Sequence, residues 1–150
     1  MASVIHYGFD SCHRIPLLSR AGFDVAGCDS LAGLRNLLEQ GAFDAILLTE
    51  SPAEPLIHTA RRLSTAPLVW FPSDPSTERD ERFDLIIPPL TRPEEWIASV
   101  QNLLTESRKI QAQSAALRAE SESLRAASAA VRQRKQSLFL QWKDTRRPGS

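Results

Sequence analysis

The sequence predicts an α/β domain built on a five-stranded parallel sheet that is sandwiched by helices, followed by a long C-terminal coiled-coil helix. Two observations lead to this fold class. Short, nearly continuous apolar runs alternate with amphipathic stretches over the first 105 residues, which is typical of repeated strand–helix units. Beyond them, apolar residues recur at every seventh position, which is typical of a coiled coil.

The α/β part opens with a buried strand and then alternates regularly. Strands are predicted over residues 3–7, 23–29, 43–50, 66–72 and 84–90, and helices over 11–21, 30–41 and 54–64. Ser30 is the expected cap of the second helix. Pro16 either lies in the first turn of its helix or kinks it. The polar segment 76–82 forms either a helical turn or two or a loop, and a last helix extends from Pro93 to about Trp142.

The last helix carries a seam, which we define by two rails of residues. Large apolar residues seven positions apart occupy heptad position d: Leu103, Ile110, Leu117, Leu124, Val131 and Leu138. Position a, four residues further on, is occupied by Ser107, Ser114, Ser121 and Ser128 and then by Lys135. A helix cannot bury such a seam alone, so we predict a homodimer. A parallel pair would bring Glu120 near Arg125 of the second copy, while small seam residues also suit an antiparallel pair. The alternative is a helix folded back on its own domain.

These patterns divide the chain into an α/β domain at 1–105, a coiled-coil helix at 106–142 and a flexible tail at 143–150. Residues 1–105 carry fourteen acidic and eight basic side chains, whereas residues 106–150 carry four and ten. A basic helix can meet nucleic acid, although it can equally be a solvated face. The basic side chains that could contact phosphates are Arg132, Arg134, Lys135, Arg146 and Arg147.

Composition excludes several classes of protein. No window approaches the roughly 18 consecutive apolar residues of a membrane span, and the first residues lack the features of a signal peptide. We therefore expect a cytoplasmic protein without membrane contact. Cys12 and Cys28 lack CxxC spacing, the three histidines lack metal-ligand spacing, and no glycine-rich phosphate loop is present. Accordingly, we expect no metal and no cofactor.

Three stretches resemble the receiver (CheY-like) domain of bacterial response regulators, which has flavodoxin-like topology. They are GAFDAILLT at 41–49, APLVWFP at 66–72 and FDLIIPPLTRPEEW at 83–96, and the resemblance covers residues 3–105. It implies transfer of a phosphoryl group to an aspartate after the third strand. An acidic pair that holds Mg²⁺, a hydroxyl and a lysine would assist that transfer. The resemblance also implies that the last helix belongs to a dimer and output surface.

This chain departs from the family's set at every matched position. Gly8 and Phe9 take the positions of the acidic pair, and Thr49 takes that of the acceptor. Pro72 stands at the position of the hydroxyl and Pro88 at that of the lysine. Asp10, Glu50 and Ser73 lie one residue away, and Glu50 could mimic a phosphorylated state. The resemblance therefore implies a degenerate pseudo-receiver that takes up no phosphoryl group.

The function predicted from the sequence is non-catalytic signalling or scaffolding, in the manner of two-component signalling proteins. The chain would homodimerise through its coiled coil and act on an unidentified protein partner. An alternative is a nucleic-acid-associated regulator that uses the basic helix. A third hypothesis is a small enzyme, which predicts a ligand pocket near Gly8, Thr49 and Pro88 at the carboxyl ends of the strands.

Overall fold

A computed structural model describes residues 1–49, 51–76 and 79–146. The chain divides into two compact units, Met1–Ser107 and Arg108–Ser150, while the predicted borders at 105 and 142 stay predictions. The strands of the first unit are β1 (Ser3–Tyr7), β2 (Asp24–Cys28), β3 (Ala45–Thr49), β4 (Leu68–Phe71) and β5 (Leu85–Ile86). The helices are α1 (Arg14–Arg20), α2 (Leu31–Gln40), α3 (Glu54–Leu63) and α4 (Pro93–Thr145). The predicted fold class is confirmed.

The sheet is parallel throughout and has the order β2-β1-β3-β4-β5. Central strands of such a sheet are covered on both faces, and β3 is accordingly buried over its whole length. The chain passes from β1 to β2 on one side of the sheet, and then crosses to β3, β4 and β5 on the other side of β1. The carboxyl ends of β1 and β3 therefore form the crevice at which open α/β sheets bind ligands.

Each face of the sheet packs against its own pair of helices, because successive side chains of a strand point to opposite faces. Val4 and Leu47 belong to a cluster that also holds Trp96 and Val100 of α4. Ile5 and its neighbours on β3 pack with the other cluster, which contains Leu34 of α2 and Ile57 of α3. The start of α4 is thus held by core packing rather than by surface contacts.

The first helix begins later than predicted, at Arg14 instead of residue 11. The Asp10 carboxylate accepts hydrogen bonds from the backbone N–H groups of Arg14 and Ile15, at 2.7 and 3.0 Å. Pro16 lies in the first turn, where the missing N–H costs nothing because that group has no helical partner. Ser30 caps α2 as predicted, with Oγ accepting from the Gly33 N–H at 3.1 Å.

The connection between β4 and β5 was predicted to form either a helical turn or two or a loop. Its described residues, 72–76 and 79–84, form turns and bends and contain no helix. Arg82 pairs with Asp80, and Arg61 of α3 pairs with Asp84 at 3.1 Å, so ion pairs hold this connection in place. β5 is correspondingly short, with two residues instead of the predicted 84–90.

The second unit consists of the α4 residues from Arg108 onward, whose described side chains are all exposed. Its helix ends at Thr145, three residues after the predicted end. No helix among the described residues is both long and apolar enough to cross a membrane.

Candidate functional site

Thr49, which the receiver resemblance predicts at the acceptor position, uses its hydroxyl inside the fold. Thr49 ends β3, is buried, and donates a hydrogen bond from Oγ1 to the carbonyl oxygen of Tyr7 at 2.9 Å. Gly8, the residue after Tyr7, has a φ of 102°. A Cβ atom at Gly8 would lie 2.1 Å from Thr49 Oγ1. The ends of β1 and β3 are therefore held close together by this hydrogen bond and by the contact with Gly8.

Asp10, the carboxylate nearest in sequence to the lost acidic pair, is used as a helix cap. Burial alone would raise the pKa of Asp10, but the two N–H groups of α1 outweigh it and hold the pKa below the ordinary 3.8. Both carboxylate oxygens accept backbone hydrogen bonds, which leaves Asp10 poorly placed to bind a cation. Within the described residues, no group of three or more His, Cys, Asp or Glu side chains could hold a metal ion.

His6 lies directly beneath this cap and is fully buried. Neither ring nitrogen has a hydrogen-bond partner among the described residues, and Nε2 lies 4.0 Å from Asp10 Oδ1. Burial lowers the pKa of His6; the Asp10 carboxylate opposes this effect and the Arg14 guanidinium adds to it. The imidazole is therefore neutral at neutral pH.

Sequence reasoning missed one further side chain at this edge, Arg14. The Arg14 guanidinium stacks over the Phe71 ring at 4.4 Å, which brings a cation from α1 to the end of β4. Phe9, which was already named from the sequence at the position of the acidic pair, is 75% exposed two residues after the end of β1. The position of Arg14 one helical turn after Asp10 could have indicated that the two side chains lie close together. Nothing in the local sequence indicates the contact of Arg14 with β4.

The remaining receiver positions bring no reactive group to the edge. Pro72 is buried and Pro88 is exposed, with the Pro88 carbonyl accepting a hydrogen bond from Thr91 Oγ1 at 2.6 Å. Ser73 is exposed, and Glu50 lies outside the described residues. Burial, with Asp29 beside it, raises the pKa of Cys28 to about 11, so that thiol is protonated and unreactive.

A cleft of about 450 Å³ opens at the ends of β1 and β3. Gly8 and Thr49 line it as the enzyme hypothesis requires, but Pro88 is not among its lining residues. The rest of its wall comes from Tyr7, Phe9, Asp29, Leu31 and Leu56, together with Ser51, Pro52, Ala53 and Pro55 just before and within the start of α3. These side chains offer one exposed carboxylate and no paired acid and base, so the cleft suits contact better than catalysis.

The seam of α4 is a row of exposed apolar side chains on one face of the described helix. Ile110, Leu117, Leu124, Val131 and Leu138 are each 54–65% exposed. Leu103 differs, since it is half-buried against the cluster that contains Trp96, and Ser107 is also half-buried. The described serines at position a are otherwise exposed at Ser114, Ser121 and Ser128.

The end of α4 combines aromatic and basic side chains. Phe139 and Trp142 stack with ring centroids 6.1 Å apart, and Arg146 lies over the Trp142 ring at 4.4 Å. The basic residues Arg132, Arg134 and Lys135 are exposed, while Arg147 lies outside the described residues.

The comparisons with known proteins support the fold. No family model and no curated protein matches this chain. The receiver domain of the TMAO respiratory system response regulator TorR is 22% identical, with a TM-score of 0.57, over 71% of this chain and 98% of that one. A CheY-like receiver domain from Methanospirillum hungatei JF-1 is 15% identical, with a TM-score of 0.60, over 73% and 98%. The chain therefore has the receiver fold.

One matching structure extends further along the chain. It is described as the trimeric coiled coil of yeast Spc42 fused to another structure, is 17% identical and has a TM-score of 0.59. It covers 86% of this chain and 98% of its own. The long helix after the receiver fold is thus shared with a protein that carries a coiled coil.

Proposed function

We propose that this protein is a pseudo-receiver that dimerises through α4 and acts as a cytoplasmic signalling or scaffolding component. It takes up no phosphoryl group and catalyses no reaction. Its activity consists of presenting paired receiver folds to a protein partner, with the orientation of the pair set by the helices.

The observation that carries this proposal is the state of the Thr49 hydroxyl. A receiver needs a free carboxylate at this position, but here a neutral hydroxyl donates to the Tyr7 carbonyl and packs against Gly8. The side chains that would hold Mg²⁺ and neutralise the phosphoryl oxygens are replaced by Gly8, Phe9 and Pro88. Phosphorylation therefore lacks its acceptor and its electrostatic stabilisation.

The exposed seam supports the second half of the proposal. A row of side chains that remain more than half exposed would lower the free energy strongly on pairing, since burial of a Leu or Val side chain contributes about 1.5–3 kcal/mol. Scattered apolar residues need no explanation, whereas a continuous stripe on one helix face marks an interaction surface.

The test is incubation of the intact protein with acetyl phosphate and Mg²⁺, followed by intact mass spectrometry under conditions that preserve acyl phosphates. A receiver domain that accepts the group serves as the positive control. We expect no change in the mass of this chain. Addition of one phosphoryl group would contradict the proposal, and fragmentation would then show whether Asp10 or Glu50 had accepted it.

A further inference from the structure

The direction of the two helices in the proposed homodimer decides which side chains share a layer. We propose that two copies pair antiparallel through α4, with Ser121 of each copy packed against Leu124 of the other. This inference rests on the proposed homodimer and names its partner surface: the seam of a second copy in reverse orientation.

The first argument is the alternation of small and large residues along the seam. In a parallel pair, position a meets a and position d meets d, so serine layers would alternate with leucine layers. In the antiparallel pair, every a position meets a d position of the second copy. Ser107, Ser114, Ser121 and Ser128 then face Leu138, Val131, Leu124 and Leu117 of the second copy, respectively.

Packing density favours the antiparallel order of layers. Leucine layers of a parallel pair would set the spacing of the helices, and the serine layers between them would leave gaps. One large and one small side chain in each layer keep the spacing uniform, which is how well-packed cores are built. On the surface of the helix, an open depression lies between Ser121, Leu124 and Ser128, bordered by Arg125, Ala129 and Arg132, and these include the seam residues that would receive a large side chain in this order of layers.

Charge complementarity is the second argument. Residues 1–105 carry an excess of six acidic side chains, and residues 106–150 carry an excess of six basic ones. Within α4 itself, the first turn carries Glu94 and Glu95 and the last turn carries Lys143. A parallel pair sets these like charges side by side, whereas an antiparallel pair brings the basic last turn of each helix toward the acidic first turn of the other. Two local effects oppose this order: Arg118 would approach Arg125 of the second copy, and the Glu120–Arg125 pair of a parallel dimer would be lost. Exposed pairs of this kind contribute little.

The experiment measures distances between spin labels in the full-length dimer. Cys12 and Cys28 are first replaced by Ser and Ala, and circular dichroism checks that the fold is kept. Lys109→Cys and Gln136→Cys then provide two exposed label sites outside the seam. Because residue 109 lies level with residue 136 of the second copy, like labels should be about 40 Å apart at 1.5 Å per residue.

A mixed dimer provides the matched control. One copy labelled at residue 109 and one labelled at residue 136 should give a short distance, near the 8–10 Å spacing of the helices plus the labels. A short distance between like labels would show a parallel pair or a parallel trimer and overturn the inference, while leaving self-association intact. Loss of every intermolecular distance would instead overturn the proposed homodimer itself.

Discussion

Gly8 and Thr49 meet at the end of β1 with almost no space between them. The positive φ of Gly8 belongs to a region that side chains other than glycine rarely adopt. The Thr49 hydroxyl lies far too close to the point that a Cβ of this residue would occupy for both to fit. Backbone conformation and close approach therefore both require glycine at this residue.

Gly8→Ala should lower the free energy of unfolding by about 3 kcal/mol, because strain at positive φ adds to a steric clash. Gly22→Ala is the matched control: its φ is 94°, but no described atom lies within 4 Å of the point that its new methyl group would occupy. It should cost only about 1 kcal/mol. Urea unfolding measures both values, and equal losses would show that the Thr49 contact is unimportant.

His6 is an imidazole enclosed by apolar neighbours and by two charged groups, Asp10 and Arg14. Since burial lowers its pKa below 6.5, the unfolded chain binds the proton more readily than the folded chain does. The stabilising effect of keeping His6 neutral is complete above pH 6.5 and decreases as the pH falls below it. The lowered pKa of Asp10 acts in a separate window, below 3.8.

We predict that the free energy of unfolding falls between pH 6.5 and pH 5 by up to about 1.4 kcal/mol per pH unit. His6→Leu should remove most of this slope, since an apolar side chain of similar size takes up no proton. The exposed His58 provides the control, because His58→Leu should leave the slope in place. Denaturant unfolding at several pH values gives the slopes, and a slope that persists in His6→Leu must come from another group.

At the scale of the element, α4 has two kinds of burial along one seam. Its heptad pattern begins inside the α/β unit, where Trp96 and Val100 occupy d and a positions and pack on the sheet. The same pattern then continues with side chains that remain exposed in the single chain. The same heptad pattern therefore packs first on the chain's own core and then, further along the helix, on the proposed partner.

Leu117→Asn with Leu124→Asn should convert the dimer to a monomer, because each buried leucine lost from a packed interface costs about 2 kcal/mol or more. Ala119→Asn with Ala126→Asn carries the same substituent on the opposite face of the helix and should leave the dimer intact. Sedimentation equilibrium measures the mass. A dimer that survives the leucine replacements would place the interface elsewhere.

Element boundaries show where local sequence is informative. Ser30 could be recognised as a cap because its Oγ reaches the N–H three residues later, which is the usual spacing. Asp10 reaches N–H groups four and five residues later, across a turn that ends with His13 at a φ of 53°. Such a connection depends on the fold of the turn and leaves no periodic signal.

The connection between β4 and β5 could not be predicted for a related reason. Its residues are polar enough for a loop or an exposed helix, and the choice depends on contacts made elsewhere. Phe83 stacks on Trp70 with centroids 4.9 Å apart, and Arg61 reaches Asp84 from α3. These long-range contacts favour a close-fitting turn, and single-sequence propensity does not contain them.

For the whole molecule, apolar periodicity was sufficient to predict the parallel sheet, its two covered faces and the long helix. For the candidate site, the sequence predicted mainly which reactive groups are missing. Comparison with the receiver pattern identified Gly8, Thr49 and Pro88 as positions that lack the chemistry needed for phosphoryl transfer. The structural roles of the residues that stand at these positions could not be predicted in that way. The Thr49–Tyr7 hydrogen bond and the burial of His6 depend on how β1 and β3 are placed in three dimensions.

The last strand has a consequence for how copies of this molecule can meet. β5 is an edge strand of two residues, and Pro88 and Pro89 follow one residue after it. Prolines have no N–H to donate, so a foreign strand finds few hydrogen-bond donors along this border. This edge of the sheet is therefore poorly suited to the intermolecular strand addition that leads to aggregates.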